Sequence, residues 1–120
     1  MAKMLIFEDE PAIITALEFL MSSAGYEAEI SPDGDNAINK INRFKPDAII
    51  LDVMLPVKNG FDILQDIKTN IDHPPPIIML TAKMLAHDID HAISLGADAV
   101  ITKPFANDVL MAKIRQLIGS

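Results

Sequence analysis

Short, uninterrupted apolar runs recur along the chain, and they are typical of buried strands. Four runs lack polar alternation, and a weaker candidate spans residues 26–30. The four are Met4–Phe7, Ala48–Leu51, Ile77–Leu80 and Ala99–Ile101. Strands without alternation are buried on both faces, as in a parallel sheet that helices cover. The pattern therefore predicts five strands in one parallel sheet.

The segments between these runs carry apolar residues at helical spacing. They predict five helices, marked by the apolar positions within 13–21, 37–44, 61–67, 87–95 and 109–118. Pro11 favours a helix start, whereas Gly25 and Gly96 favour helix ends. Asn107 is predicted to cap the fifth helix. Strands and helices thus alternate five times.

This alternation predicts an α/β fold with one domain over residues 1–120. Short connections and right-handed crossovers favour a three-layer, doubly wound, five-stranded parallel sheet of the flavodoxin-like (βα)5 type. The expected strand order is 2-1-3-4-5. In such sheets ligands bind at the carboxyl ends of the strands, so we expect functional residues there.

Composition narrows the classes of function. The absence of cysteine excludes disulfides, thiol catalysis and thiolate metal sites, and favours a cytoplasmic location. A formal net charge of −7 disfavours direct contact with nucleic acid or an anionic membrane. No apolar run approaches the roughly 18 residues of a membrane span. The sequence predicts a soluble protein.

Polar residues directly follow four of the predicted strands. They are Glu8–Glu10, Asp52, Thr81 and Thr102-Lys103. Clustered carboxylates repel one another and offer the oxygen ligands that a hard divalent cation prefers, which points to Mg²⁺. Such a cation would let a phosphoryl group approach Asp52. Each feature alone also fits a solvated turn, so the prediction depends on their convergence.

Together these residues resemble the receiver domain of two-component response regulators, of the stand-alone chemotaxis-regulator type. The resemblance covers the whole chain, and its matching segments are Leu5–Pro11, Asp47–Pro56, Asn59-Gly60, Leu80–Lys83, Gly96–Asp98 and Thr102–Phe105. It implies that Asp52 is the phospho-acceptor, that Thr81 is the switch hydroxyl and that Lys103 contacts the phosphoryl group. It also implies a cis peptide before Pro104. The implied Mg²⁺ ligands are Glu8, Asp9, Asp52 and the main-chain carbonyl of Met54.

The function implied by the resemblance is phosphoryl transfer to Asp52 from a phosphohistidine of a sensor histidine kinase or phosphotransfer domain. Phosphorylation would then change the surface of helix four, strand five and helix five, which binds an output protein or domain. A phosphorylation-dependent dimer is left open. Such a protein is not an enzyme but a signalling phospho-acceptor that assists its own phosphorylation and slow dephosphorylation.

Two positions depart from the family pattern. Val100 stands where an aromatic residue is common three positions before the lysine, so we expect a different partner-binding surface. Met54 and Lys83 flank the expected path of the attacking water. Because a thioether is a weak hydrogen-bond acceptor, Met54 predicts slow self-dephosphorylation.

Other functions are conceivable for a chain with this pattern. The first alternative is a receiver-like module that binds partners constitutively and is never phosphorylated. A haloacid-type phosphatase would need an aspartate at position 54, and a flavodoxin would need a glycine- and hydroxyl-rich loop where Glu8–Glu10 repels phosphate. The sequence disfavours both of these.

Overall fold

The computed structural model describes residues 1–82 and 86–119, so the prediction for Lys83 lies outside the described residues. Strands and helices alternate along the chain, and the strands form one parallel sheet ordered β2-β1-β3-β4-β5. The predicted fold class and strand order are confirmed. The elements are β1 Lys3–Phe7, α1 Pro11–Ser23, β2 Glu27–Ser31, α2 Ala37–Phe44, β3 Ala48–Asp52, α3 Gly60–Asn70, β4 Ile77–Thr81, α4 Ala86–Ser94, β5 Ala99–Thr102 and α5 Asn107–Ile118.

Two apolar layers enclose the sheet, which explains why its central strands lack alternation. Leu5 and Ile49 belong to the layer shared with α2, α3 and α4. Their neighbours Met4 and Ile50 belong to the layer shared with α1 and α5. Because successive side chains point to opposite faces, both faces must be apolar to exclude water.

Local details differ from the sequence predictions at some element ends. The edge strand β2 runs over Glu27–Ser31, one residue later than predicted, and only its last residue is buried. The predicted cap Asn107 is wrong: Asn107 is the first residue of α5, and Ala106, in an extended conformation, precedes it as N-cap. No side chain caps this helix start. In the first turn, the Asp108 carboxylate accepts a hydrogen bond from the N–H of the next residue, Val109.

The start of α3 fixes the backbone that follows Asp52. Asn59 caps this helix by accepting a hydrogen bond from the Asp62 N–H at 3.0 Å. The Gly60 N–H donates to the Val53 carbonyl, and a Cβ on Gly60 would lie 2.3 Å from the Asp52 carbonyl oxygen. Only glycine therefore allows α3 to begin this close to the end of β3.

None of the helices in the described part of the chain is long and apolar enough to cross a bilayer.

Candidate functional site

Four strands end at the same edge of the sheet and bring their polar residues together. Strand register pairs Asp52 with Leu80, and Thr81 with Thr102. Glu8 directly follows β1, and its N–H donates to the Ser31 carbonyl at the end of β2. The Lys103 N–H donates to the Thr81 carbonyl and so fixes the backbone after β5. The strand ends thus form one pocket rim.

Three carboxylates form the acidic part of this rim. Glu8, Asp9 and Asp52 each offer an oxygen, and these oxygens lie within 4.8 Å of one another. Glu8 and Asp52 are buried, whereas Asp9 is exposed. Among the buried side-chain atoms that the structure describes, Asp52 Oδ2 and Glu8 Oε2 accept no hydrogen bond, although the Lys103 ammonium lies 3.0 Å from Glu8 Oε2 as an ion pair. An all-oxygen donor set with unpartnered lone pairs fits a hard divalent cation.

Lys103 reaches the carboxylates from the other side of the pocket. Its Nζ lies 3.0 Å from Glu8 Oε2 and 3.2 Å from Asp52 Oδ1, and its side chain is only 7% exposed. The peptide before Pro104 is cis, as the resemblance implied. The buried ammonium therefore offsets part of the repulsion between Glu8 and Asp52.

A further contact of Lys103 was not among the predicted site residues. The Lys103 ammonium donates to Glu10 Oε1 at 3.2 Å, and the Glu10 N–H donates to Glu8 Oε1. The sequence signal was present, because Glu10 belongs to the acidic run after β1. The sequence does not indicate that the Glu10 side chain, which is exposed in the structure, turns back toward the pocket.

The pocket perturbs both of its central charges. Burial, followed by the negative charge of Glu8, raises the pKa of Asp52 from 3.8 to about 6, although Lys103 opposes this shift. Burial alone would lower the pKa of Lys103, but its hydrogen bond to Glu8 and the charge of Asp52 raise it above the ordinary value. Asp52 is thus a carboxylate whose ionised form is unusually costly in the folded protein.

We expect Asp52→Asn to stabilise the metal-free protein at neutral pH. Because the folded pKa exceeds the unfolded value, ionised Asp52 destabilises the folded state, and this cost appears as pH rises from about 4 to above 6. A shift of about two pKa units corresponds to about 3 kcal/mol. In urea unfolding experiments with chelator, the free energy of unfolding of the variant should rise relative to that of the wild type as pH increases across this interval. Parallel stability profiles for the two proteins would contradict the prediction.

Thr81 and Met54 lie beside Asp52 in different ways. Thr81 is a buried residue at the end of β4, next to the strand that carries Asp52. The Met54 N–H lies 3.4 Å from Asp52 Oδ1, and the Met54 side chain is 74% exposed. The roles assigned to the Thr81 hydroxyl and to the Met54 main-chain carbonyl stay predictions.

The sequence profile of the response regulator receiver domain family matches residues 4–115. The transcriptional regulatory protein DltR of Streptococcus agalactiae serotype III is 38% identical over 113 residues. This match covers 94% of the chain but 50% of DltR, so the chain spans about half the length of that regulator.

Solved structures show the same similarity in three dimensions. The Francisella response regulator 1452 receiver domain has a TM-score of 0.91 and 28% identity, with 99% of this chain and 98% of that one covered. The receiver domain of the Pseudomonas aeruginosa sensor histidine kinase PA1611, solved with a magnesium ion coordinated in its active site cleft, has a TM-score of 0.89 and 32% identity, at 99% and 98% coverage.

Proposed function

The chain belongs to the response regulator receiver domain family, and from this premise we propose that Asp52 accepts a phosphoryl group from a phosphohistidine. The observation that carries the proposal is the joint placement of Asp52, the acidic pair Glu8 and Asp9, and Lys103 in one pocket. The phosphohistidine belongs to a sensor histidine kinase or a phosphotransfer domain. A chain with this role relays a signal and does not turn over a substrate.

Asp52 is suited to act as the nucleophile. Its Oδ2 has no hydrogen-bond partner, so a lone pair is available, while Oδ1 is held by the Lys103 ammonium and the Met54 N–H. Attack of Oδ2 on phosphorus forms the P–O bond as the P–N bond to the imidazole breaks, and the imidazole nitrogen keeps the electron pair. The Lys103 ammonium lies where it can balance charge on the phosphoryl oxygens.

The residues on the rim also fit Mg²⁺. Glu8, Asp9, Asp52 and the Met54 carbonyl would hold the ion, consistent with an all-oxygen donor set. When bound, Mg²⁺ supplies positive charge next to the oxygens of the incoming phosphoryl group. The need for such charge is visible in the described part of the pocket, where Glu8, Asp9, Glu10 and Asp52 lie around one ammonium, that of Lys103.

Phosphorylation would act as a switch through the neighbours of Asp52. New phosphoryl oxygens would be acceptors for the Thr81 hydroxyl and the Lys103 ammonium, and so favour one of two conformations. The surface that changes comprises α4, β5 and α5, which would bind the output protein or domain, and a dimer formed on phosphorylation is compatible with this. We place the protein in the cytoplasm, where sensor kinases expose their phosphohistidines.

Incubation with acetyl phosphate should add the mass of one phosphoryl group to the protein in the presence of Mg²⁺. We expect little or no addition in a chelator, because the carboxylates then repel the phosphodonor. Intact-mass spectrometry measures both. A chain that gains no mass with Mg²⁺ would instead support the alternative of a constitutive interaction module.

We expect Met54→Asn to shorten the lifetime of phosphorylated Asp52. An amide hydrogen-bonds the attacking water better than a thioether does, and one such bond is worth about 1 kcal/mol, or about fivefold in rate. The rate of phosphate release after donor removal measures this. Val57→Asn is the matched control, because Val57 lies in the same loop after β3 and is 77% exposed. Equal rates in Met54→Asn and wild type would refute the role of position 54.

A further inference from the structure

A cavity of about 420 Å³ lies beside the phospho-acceptor, between the sheet and two helices. Its described walls come from the ends of β3, β4 and β5 and from α3 and α4. The cavity is partly open to solvent, and it is large enough to admit a small ring, because an apolar cavity of about 150 Å³ binds benzene. This cavity also falls within the usual range of small-molecule sites, about 300–1,000 Å³.

The walls are largely apolar, which determines the body of a fitting ligand. Phe61 and Ala92 contribute from the helices, and Val53, Met79 and Val100 contribute from or beside the strands. Val100 is one of the lining residues, so a larger side chain at this position would take up part of the volume. The rings of Phe61 and His91 pack edge to face with their centroids 4.8 Å apart, and this contact links α3 to α4 along this side.

The charge around the cavity determines the head group of the ligand. Asp88, in the first turn of α4, is a lining residue whose side chain is 37% exposed. Among the described residues, its ion-pair partner is the imidazole of His87, whose Nε2 lies 3.3 Å from Asp88 Oδ1. This imidazole is 77% exposed and so competes only weakly for the carboxylate. Asp88 is the charged residue among the described lining residues, and the overall charge of −7 favours the approach of a cation.

We propose that this cavity is a binding site for a compact apolar amine, whose hydrocarbon body contacts Phe61, Met79 and Val100 and whose ammonium pairs with Asp88. Val53 and Met54, which follow Asp52 directly, are also lining residues. An occupied cavity therefore contacts the backbone that carries the acceptor, and ligand binding changes the rate at which Asp52 is phosphorylated. This second part rests on the proposed function, whereas the binding itself does not.

Methyl-detected NMR with benzylamine, and with benzyl alcohol as its uncharged counterpart, tests the binding. We expect saturable shifts for the methyl groups of Val53, Met79 and Val100, and affinity at least about threefold weaker for benzyl alcohol, which corresponds to a weak ion pair. Asp88→Asn should remove the difference between the two probes, whereas Asp90→Asn, on the same helix but exposed and not lining the cavity, should keep it. Absence of saturable shifts, or equal affinities in the wild type, would overturn the proposal.

Filling the cavity provides the second test. Val100→Phe should abolish the benzylamine shifts, and Ala92→Leu does the same from the α4 side should Val100→Phe not fold. Val109→Phe adds the same volume at an exposed position of α5 and should leave benzylamine binding unchanged. Retained binding in both filled variants would contradict the assignment.

Phosphorylation of the wild type by acetyl phosphate should change at least about twofold in rate with saturating benzylamine, and an unchanged rate would overturn the coupling. If acetyl phosphate did not phosphorylate the protein at all, the proposed function would be wrong. The NMR titration would still show whether the cavity binds the amine.

Discussion

Lys103→Met destabilises the metal-free protein by about 3 kcal/mol, the largest loss of stability that we expect from one substitution in the pocket. Methionine keeps most of the length of the side chain but removes the ammonium. Glu8 and Asp52 then remain as buried carboxylates with no cation between them, since both are paired with the same Nζ at 3.0 and 3.2 Å. Chemical denaturation at neutral pH in chelator measures the loss.

Mg²⁺ and acid should each restore part of this stability. A divalent cation offsets the repulsion between the carboxylates, and protonation of Asp52 removes one of the charges. Lys113→Met is the matched control, because Lys113 lies on α5 and, within the described part of the chain, its ammonium has no ion pair and donates one hydrogen bond, to Gln116. A loss of the same size in both variants would show that the ammonium of Lys103 has no special role.

Asp52→Ala abolishes phosphorylation by acetyl phosphate with Mg²⁺, the largest functional effect that we expect. The pocket loses its nucleophile and one of its three clustered carboxylates. Among the described residues, Glu8 Oε2 is the other buried oxygen without a hydrogen bond, and it already lies 3.0 Å from the Lys103 ammonium. Intact-mass spectrometry should show no added phosphoryl group.

The control for that experiment is Asp72→Ala, which removes an exposed carboxylate in the connection between α3 and β4. This connection leads into the amino end of β4, whereas the pocket lies at the carboxyl ends of the strands, so the two lie at opposite ends of the sheet. We expect wild-type labelling there. Equal residual labelling in Asp52→Ala and wild type would place the acceptor elsewhere.

Sequence patterns sufficed for the fold because the central strands are buried on both faces. Runs such as Met4–Phe7 and Ala48–Leu51 have one stable arrangement, a parallel sheet between helices, and this fixes which strand ends meet. Asp52 and Lys103 come together because Asp52 ends one of these parallel strands and Lys103 directly follows another. The edge strand β2 was placed one residue early because it has a neighbour on one side only, so its apolar signal is weaker.

Features that depend on side-chain conformation were beyond the sequence. The contact between Glu10 and Lys103 depends on which way an exposed carboxylate turns. No side chain caps α5, because the N-cap position is held by Ala106, which has no side-chain oxygen to accept a hydrogen bond. The cavity beside Val100 depends on how two helices and three strands share space, and no local pattern encodes the volume that remains.

Reductive trapping tests the central claim most directly. Borohydride reduces an aspartyl phosphate to homoserine, and tandem mass spectrometry then locates the modified residue among the 17 acidic side chains. After acetyl phosphate and Mg²⁺, we predict homoserine at position 52 alone, and none when Mg²⁺ is withheld. Homoserine at any other position, or an unmodified residue 52 in protein that has gained the phosphoryl mass, would contradict the assignment of Asp52 as the acceptor.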